Sequence, residues 1–265
     1  MFVLKDHDEI ESIIAAFRTQ HPLCFSNYYG LSDGDEYELN SFPSTILLRK
    51  KEHELYRVFF LTANNEELVS ILNELPKKNY IFNIPSKQPI ESEISMFASC
   101  GFVLIEEYNR YYIPNFQETY DKVTKFVNAF DEEDYQLALV ANASDSSQIL
   151  DLFSKTFSLN MDHVPTIDEL KKMIAERTVF VNKTKEGEIF GVEIISIQGK
   201  KCYGNIRVDT KGMGIFLEKK IFDYMLEKGI KYHYFWIRKT NKQVVRYHKM
   251  LGAKWDGLSD YSFVN

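Results

Sequence analysis

The chain has 265 residues, a hydrophobic fraction of 45%, an aromatic fraction of 14% and a formal net charge of -6, a composition of folded protein long enough for two domains with ordinary cores. An acidic balance with only local basic pairs, such as Lys200-Lys201 and Lys219-Lys220, offers no clustered basic face to a nucleic acid. No apolar run approaches the roughly 20 residues that span a bilayer. The N-terminal Met1-Phe2-Val3-Leu4-Lys5-Asp6 turns charged before a signal-peptide core could form. Cys24, Cys100 and Cys202 have neither disulfide nor metal-ligand spacing, so no metal is expected and a soluble, cytoplasmic setting is.

In the first half, Leu55 to Thr62 reads as a strand, Glu66 to Leu75 as a helix and Tyr80 to Ile84 as a second strand. From Gln117 to Asp134, the apolar residues Tyr120, Val123, Phe126, Val127 and Phe130 recur at helical spacing before the acidic run Asp131-Glu132-Glu133-Asp134. This predicts a connecting helix whose acidic end opposes its dipole and favours an early stop. A strand over Gln136 to Ala141 follows, then a helix capped by Ser144 to Ser147 that buries Ile149, Leu152, Phe153 and Phe157. Pro165-Thr166-Ile167-Asp168-Glu169 is a capping-box pattern opening a further helix. Thr178 to Asn182 and Ile189 to Ile197 read as strands joined through the turn Glu186-Gly187.

The stretch Arg207-Val208-Asp209-Thr210-Lys211-Gly212-Met213-Gly214-Ile215-Phe216 then takes a strand through a glycine turn into a helix with Leu217, Ile221 and Met225 on one stripe. Two glycines permit positive φ and close ligand approach, and the free N–H groups and positive dipole end of the helix suit a phosphate, beside the charge of Lys211. The same pattern also serves purely structural turns in α/β proteins. Lys219 and Lys220, one turn into the helix, either lie on a solvated face or approach a ligand phosphate. A β-rich run from Tyr232 to Arg238, a helix after Asn241 and a closing strand around Trp255 to Phe263 complete the chain.

From about Val208 to Ala253 these motifs resemble the GCN5-related N-acetyltransferase (GNAT) superfamily. Lys211-x-x-Gly214-x-Phe216 stands at the pyrophosphate loop, Gln/Arg-x-x-Gly-x-Gly/Ala in the family, and Asn241, His248, Gly252 and Ala253 follow the spacing of the family's Asn, Tyr and Gly-Phe. Lys replaces Gln/Arg, Phe216 replaces a small residue and the loop before Lys211 is short. The order of elements from about residue 136 to 265 is also the superfamily's. The halves repeat: a shift of 151 residues lays Ile94 on Val245, Phe97 on His248, and Gly101-Phe102 on Gly252-Ala253. The first half has Thr62-Ala63-Asn64-Asn65-Glu66-Glu67 in place of the glycines, with helix-capping residues and two carboxylates that would repel a pyrophosphate.

The resemblance implies an α/β (α+β) chain of two GNAT-like domains, each a mixed, mostly antiparallel sheet flanked by helices. A degenerate copy would occupy residues 1–118, a connecting helix 119–134 and a catalytic acyl-CoA-binding domain 135–265. It implies acetyl-CoA as co-substrate, held by the backbones of Ile206 and Val208 and by Lys211, Gly212, Met213, Gly214 and Ile215. Asn241 would contact the cofactor or simply cap its helix. His248 stands at the family's proton-donating Tyr, whereas Tyr247 lies roughly 100° around the helix. Because a neutral imidazole is a poor acid, His248 needs a nearby carboxylate to serve, and packing against the sheet is the alternative. Glu193 and Asp209 are the candidate bases, or ordinary exposed carboxylates. The expected acceptor is a small-molecule or amino-acid-like amine, with no nucleic acid or membrane partner and with homodimer formation left open. Acyl-CoA binding without turnover and tandem-GNAT aminoacyl transfer are the alternatives.

Overall fold

In the computed structural model, residues 3–31, 35–130, 138–158 and 162–265 are described. They form two compact units, Met1–Glu107 with Leu258–Asn265, and Tyr108–Gly257. The units are interleaved in sequence rather than consecutive: the last residues of the chain belong with the first unit, and Tyr108 onward with the second.

The first unit runs β1 (Val3–Lys5), α1 (His7–Gln20), β2 (Phe25–Ser26), β3 (Tyr37–Ser41), β4 (Thr45–Glu52), β5 (Leu55–Thr62), α2 (Asn65–Asn73), β6 (Tyr80–Ser86), α3 (Glu91–Ser99) and the start of β7 (Val103–Tyr112). Asp6 caps α1 by accepting from the Glu9 N–H, and Ile10, Ile14 and Phe17 bury one face among Tyr37, Leu48 and Phe59. The sheet order is β1-β3-β4-β5-β6, with β2 pairing β5. Its sixth strand is the C-terminal part of β13 (Lys254–Val264), antiparallel to β6 from Ser259↔Ser86 to Val264↔Ile81. Phe263 stacks on Phe82 at 5.1 Å inside an aromatic core with Phe60, Phe97 and Phe102.

The second unit continues through α4 (Phe116–Val127), β8 (Ala138–Val140), a short 3-10 turn at Ala143–Asp145, α5 (Ser146–Thr156), α6 (Ile167–Ala175), β9 (Val179–Lys183), β10 (Ile189–Gln198) and β11 (Lys201–Asp209). It ends with α7 (Gly214–Glu227), β12 (Tyr232–Arg238), α8 (Lys242–Met250) and the start of β13. Its sheet order is β7-β12-β11-β10-β9-β8, mostly antiparallel with one parallel pair, β11 with β12. The expected capping box forms: Thr166 accepts from the Glu169 N–H while Glu169 accepts from the Thr166 N–H. Helices α5 and α6 pack Ile149, Phe153, Leu170 and Ile174 over one sheet face, with Val192, Ile194, Ile206 and Val208. Helix α7 buries Phe216, Leu217, Ile221, Phe222 and Met225 on the other, beside Phe235 and Val123 of α4. The acidic run Asp131–Asp134 and Gln136 lie outside the described residues. Among the described residues no helix is long and apolar enough to cross a membrane.

The internal repeat is visible in the elements. Helix α3 maps onto α8 residue for residue at the shift of 151, and each is followed by a glycine at positive φ, Gly101 at 81° and Gly252 at 100°. A left-handed residue just past a helix end favours glycine, which has no Cβ to clash.

Candidate functional site

The site begins with the parting of two strands. β11 follows β10 to its end, yet pairs with β12 only over Lys201–Gly204, against Tyr232–Phe235. The cause lies at Asn205: Ile195 faces Gly204 and Ile194 faces Ile206, so Asn205 is an extra residue on β11. Such a bulge bends its strand and raises its twist. Beyond it β12 pairs with β7 from Tyr234↔Tyr112 to Arg238↔Tyr108. The backbone from Asn205 to Asp209 is thus left without a β12 partner. Ile206 and Val208 bury their side chains among those packed under α5 and α6, so toward the gap they can offer backbone alone.

The freed strand runs into the glycine turn. Gly212 has φ 74°, whereas Gly214 is helical, so only the first glycine is required by backbone conformation. The second is required by space: a Cβ on Gly214 would lie 2.6 Å from Arg207 Nη2 and 3.1 Å from Asp209 Oδ2. Both neighbours use the turn. Arg207 Nη2 donates to the Gly214 carbonyl at 2.8 Å, and the Asp209 carboxylate accepts from the Gly214 N–H at 2.6 Å and the Lys211 N–H at 3.1 Å. From below, the buried Asn182 donates to the Met213 carbonyl at 3.1 Å. The N–H groups of Gly212, Met213 and Ile215 have no protein acceptor among the described residues. Lys211 places its ammonium over the Phe190 ring, 4.9 Å from the centroid. Lys219 is turned inward, 2.5 Å from Asp223 and 3.2 Å from the Tyr120 hydroxyl, so its charge is met within the fold.

Beneath the turn lies a buried charged cluster. Glu193 on β10 and Arg207 on β11 are paired residues of the two strands, and Glu218 stands one turn into α7. Arg207 Nη1 hydrogen-bonds Glu218, its Nε lies 3.5 Å from Glu193 Oε2, and its guanidinium packs 5.6 Å from the Tyr247 ring centroid. Glu193 is 4% exposed and Glu218 1%. Burial raises both carboxyls; the charge of Arg207 overcomes it at Glu218, which is held below its ordinary value, while Glu193 is pushed up to about 7. Of the two sequence readings of Glu193, a candidate base or an ordinary exposed carboxylate, the second gives way to a buried acid facing a guanidinium.

His248 packs on Phe235 at 4.4 Å and is 5% exposed. Burial lowers it to about 3, with the charge of Glu218 pulling the other way, and its Nδ1 has no hydrogen-bond partner among the described residues. The imidazole is therefore neutral near pH 7. His233, on β12, is lowered by burial to about 4. Tyr247, adjacent on α8, is raised by burial, with the neighbouring Arg207 guanidinium pulling the other way. Asn241 caps α8, its side-chain oxygen accepting from the Val244 N–H at 3.1 Å.

The structure thus brings Glu193, His248 and the turn residues Lys211–Ile215 around one helix, with Asn241 at the start of the next. Sequence reasoning gave no role to Arg207 or Glu218, and saw Asp209 only as a candidate base. A signal existed, since Arg207 alternates with the apolar Ile206 and Val208 on a strand, which aims a charge at the opposite, buried face.

A gapped strand pair, a glycine turn and a helix, on a sheet covered by two helices on the other face, define a chain with the GNAT fold, built as a tandem. A tandem GNAT protein from the clavulanic acid biosynthesis pathway, solved without acetyl-CoA, is similar at a TM-score of 0.61 and 10% identity, over 100% of this chain and 97% of that one. A GCN5-related N-acetyltransferase from Sphaerobacter thermophilus matches at 0.55 and 11% identity, over 100% and 95%. An acetyltransferase of the GNAT family from Colwellia psychrerythraea matches at 0.54 and 10%, over 100% and 97%. No family model and no curated protein matches the sequence.

Proposed function

We propose that the second unit binds an acyl-CoA along Asn205–Ile215 and transfers the acyl group to an amine, with acetyl-CoA as donor and a small-molecule or amino-acid-like amine as acceptor. One observation carries the reading: the parting of β11 from β12 at the Asn205 bulge leads directly into a turn whose N–H groups at Gly212, Met213 and Ile215 have no acceptor among the described residues. An acyl-CoA supplies the thioester that a deprotonated amine attacks. The chain's part is to hold and polarise it. The unpaired edge of β11 presents backbone donors and acceptors of the kind a pantetheine amide needs, and the turn offers donors and the dipole of α7 to a diphosphate.

The turn fits that group at three donors and opposes it at one place, the Asp209 carboxylate. His248, neutral and buried, is poorly suited to protonate a departing thiolate, and Glu193 is held against Arg207. Proton transfer to bulk solvent therefore accompanies this reading. The same two observations favour a second reading, acyl-CoA binding without turnover. The setting is the cytoplasm, with no nucleic-acid or membrane partner and homodimer formation left to measurement.

Calorimetry with acetyl-CoA, and release of the CoA thiol in the presence of a panel of amines, tests both. Saturating acetyl-CoA is expected to raise the melting temperature, since a ligand at 100 times its Kd stabilises by about 2.7 kcal/mol. Thiol release dependent on an amine supports transfer. Binding with no release across primary amines, amino acids and polyamines supports the second reading. Absence of binding overturns both.

A further inference from the structure

The turn that would hold a diphosphate already holds an anion, and that anion belongs to the chain. Asp209 Oδ2 lies 2.6 Å from the Gly214 nitrogen and Oδ1 lies 3.1 Å from the Lys211 nitrogen. Those donors sit at the mouth of α7, where an anion gains from both the N–H groups and the helix dipole. The cation nearest in sequence, Lys211, rests over Phe190. The buried Arg207 beneath is committed to Glu218 and to the Gly214 carbonyl. A diphosphate entering the turn therefore meets a carboxylate to which, among the described residues, no cation of the turn is bonded.

We infer that Asp209 is an internal competitor for this position: it closes the turn by standing in for the phosphate, and its negative charge sets the affinity for the diphosphate of CoA. This rests on the acyl-CoA reading above and names the residue that tunes it. Two consequences are specific. Removing the charge must favour ligands that carry a diphosphate and leave pantetheine, which carries none, unaffected. Occupancy by the diphosphate must also release the Gly214 and Lys211 amides from Asp209.

The test uses the full chain and calorimetric titration with CoA and with pantetheine. Asp209→Asn keeps an oxygen able to cap the helix while losing the charge, and Asp209→Ala loses both. Both variants are expected to bind CoA about tenfold more tightly than the wild type, the effect of one unit charge a few ångströms from a diphosphate near the surface. Pantetheine affinity is expected to stay within twofold. Equal or weaker CoA binding by a folded Asp209→Asn protein overturns the inference while the acyl-CoA reading stands. If wild type and variants all fail to bind CoA, both fall together. Should the variants not fold, the wild type still decides: CoA must move the Gly214 and Lys211 amide resonances, and saturation that leaves both unshifted overturns the inference.

Discussion

The two halves place the same helix after the same strand and satisfy its first turn in different ways. In the first unit, Asn64 accepts from the N–H groups of Glu66 and Glu67, and the Glu67 carboxylate is spent on the Ser44 N–H. In the second, a carboxylate three residues before the glycine turn does the capping, and three N–H groups remain over. The neutral Asn cap leaves a helix end lined with acids; the Asp209 cap accepts two of the turn's N–H groups and leaves those of Gly212, Met213 and Ile215 without an acceptor among the described residues. The difference between Phe97 and His248 is of the same kind. Both are buried at the equivalent place on α3 and α8, so the position itself demands a packed ring, and only the second half carries nitrogen there.

The largest test of this contrast is Arg207→Met. Leaving Glu193 and Glu218 buried together without their cation should cost about 3–5 kcal/mol in urea unfolding, and a loss under about 1 kcal/mol would show the cluster to be dispensable. Gly214→Val comes next. Because Arg207 fills the space, the change should destabilise by about 1–3 kcal/mol rather than act on ligand binding alone. The double variant with Arg207→Met should cost less than the sum, the signature of a shared clash.

His248→Phe borrows the residue of the first half. A histidine held near 3 in the folded chain takes up protons more readily when unfolded, below about 6.5. It therefore contributes stability above that pH, lost as pH falls toward the folded value. The variant should escape about 2 kcal/mol of that loss between pH 6.5 and pH 5, seen as a smaller drop in Tm, and under the transfer reading its kcat should stay within a few-fold. Glu193 has the opposite sign. Raised to about 7 in the fold, its contribution is present below about 4.3 and is lost as pH rises to 7, so Glu193→Gln should flatten that part of the Tm profile. The smallest effect belongs to the first unit, where Asn64→Ala should cost about 1 kcal/mol with no change in CoA binding.

Much of the second unit was legible in the chain because its signals are local. The capping box at Thr166, the hairpin turn at Glu186-Gly187 and the stripe Leu217, Ile221, Met225 each lie within a few residues and fix a helix or strand by themselves. The repeat was legible for the same reason, as α3 and α8 share length and a terminal glycine. The turn at Gly212 was read for its true need, positive φ. Gly214 was also read for positive φ, yet it is helical, and a side chain on the preceding strand reaches back over it.

By itself the sequence determined most helices and strands of the second unit and a few of the first, that the plan occurs twice, and that a glycine turn feeds a helix, since all of these depend on short-range periodicity and backbone sterics. Only the tertiary structure decided that the last strand pairs in the first unit, that β11 leaves β12 at Asn205, and that Glu193, Arg207 and Glu218 share one buried site. Strand partners and buried ion pairs join residues far apart in sequence, through register and packing that no local pattern encodes.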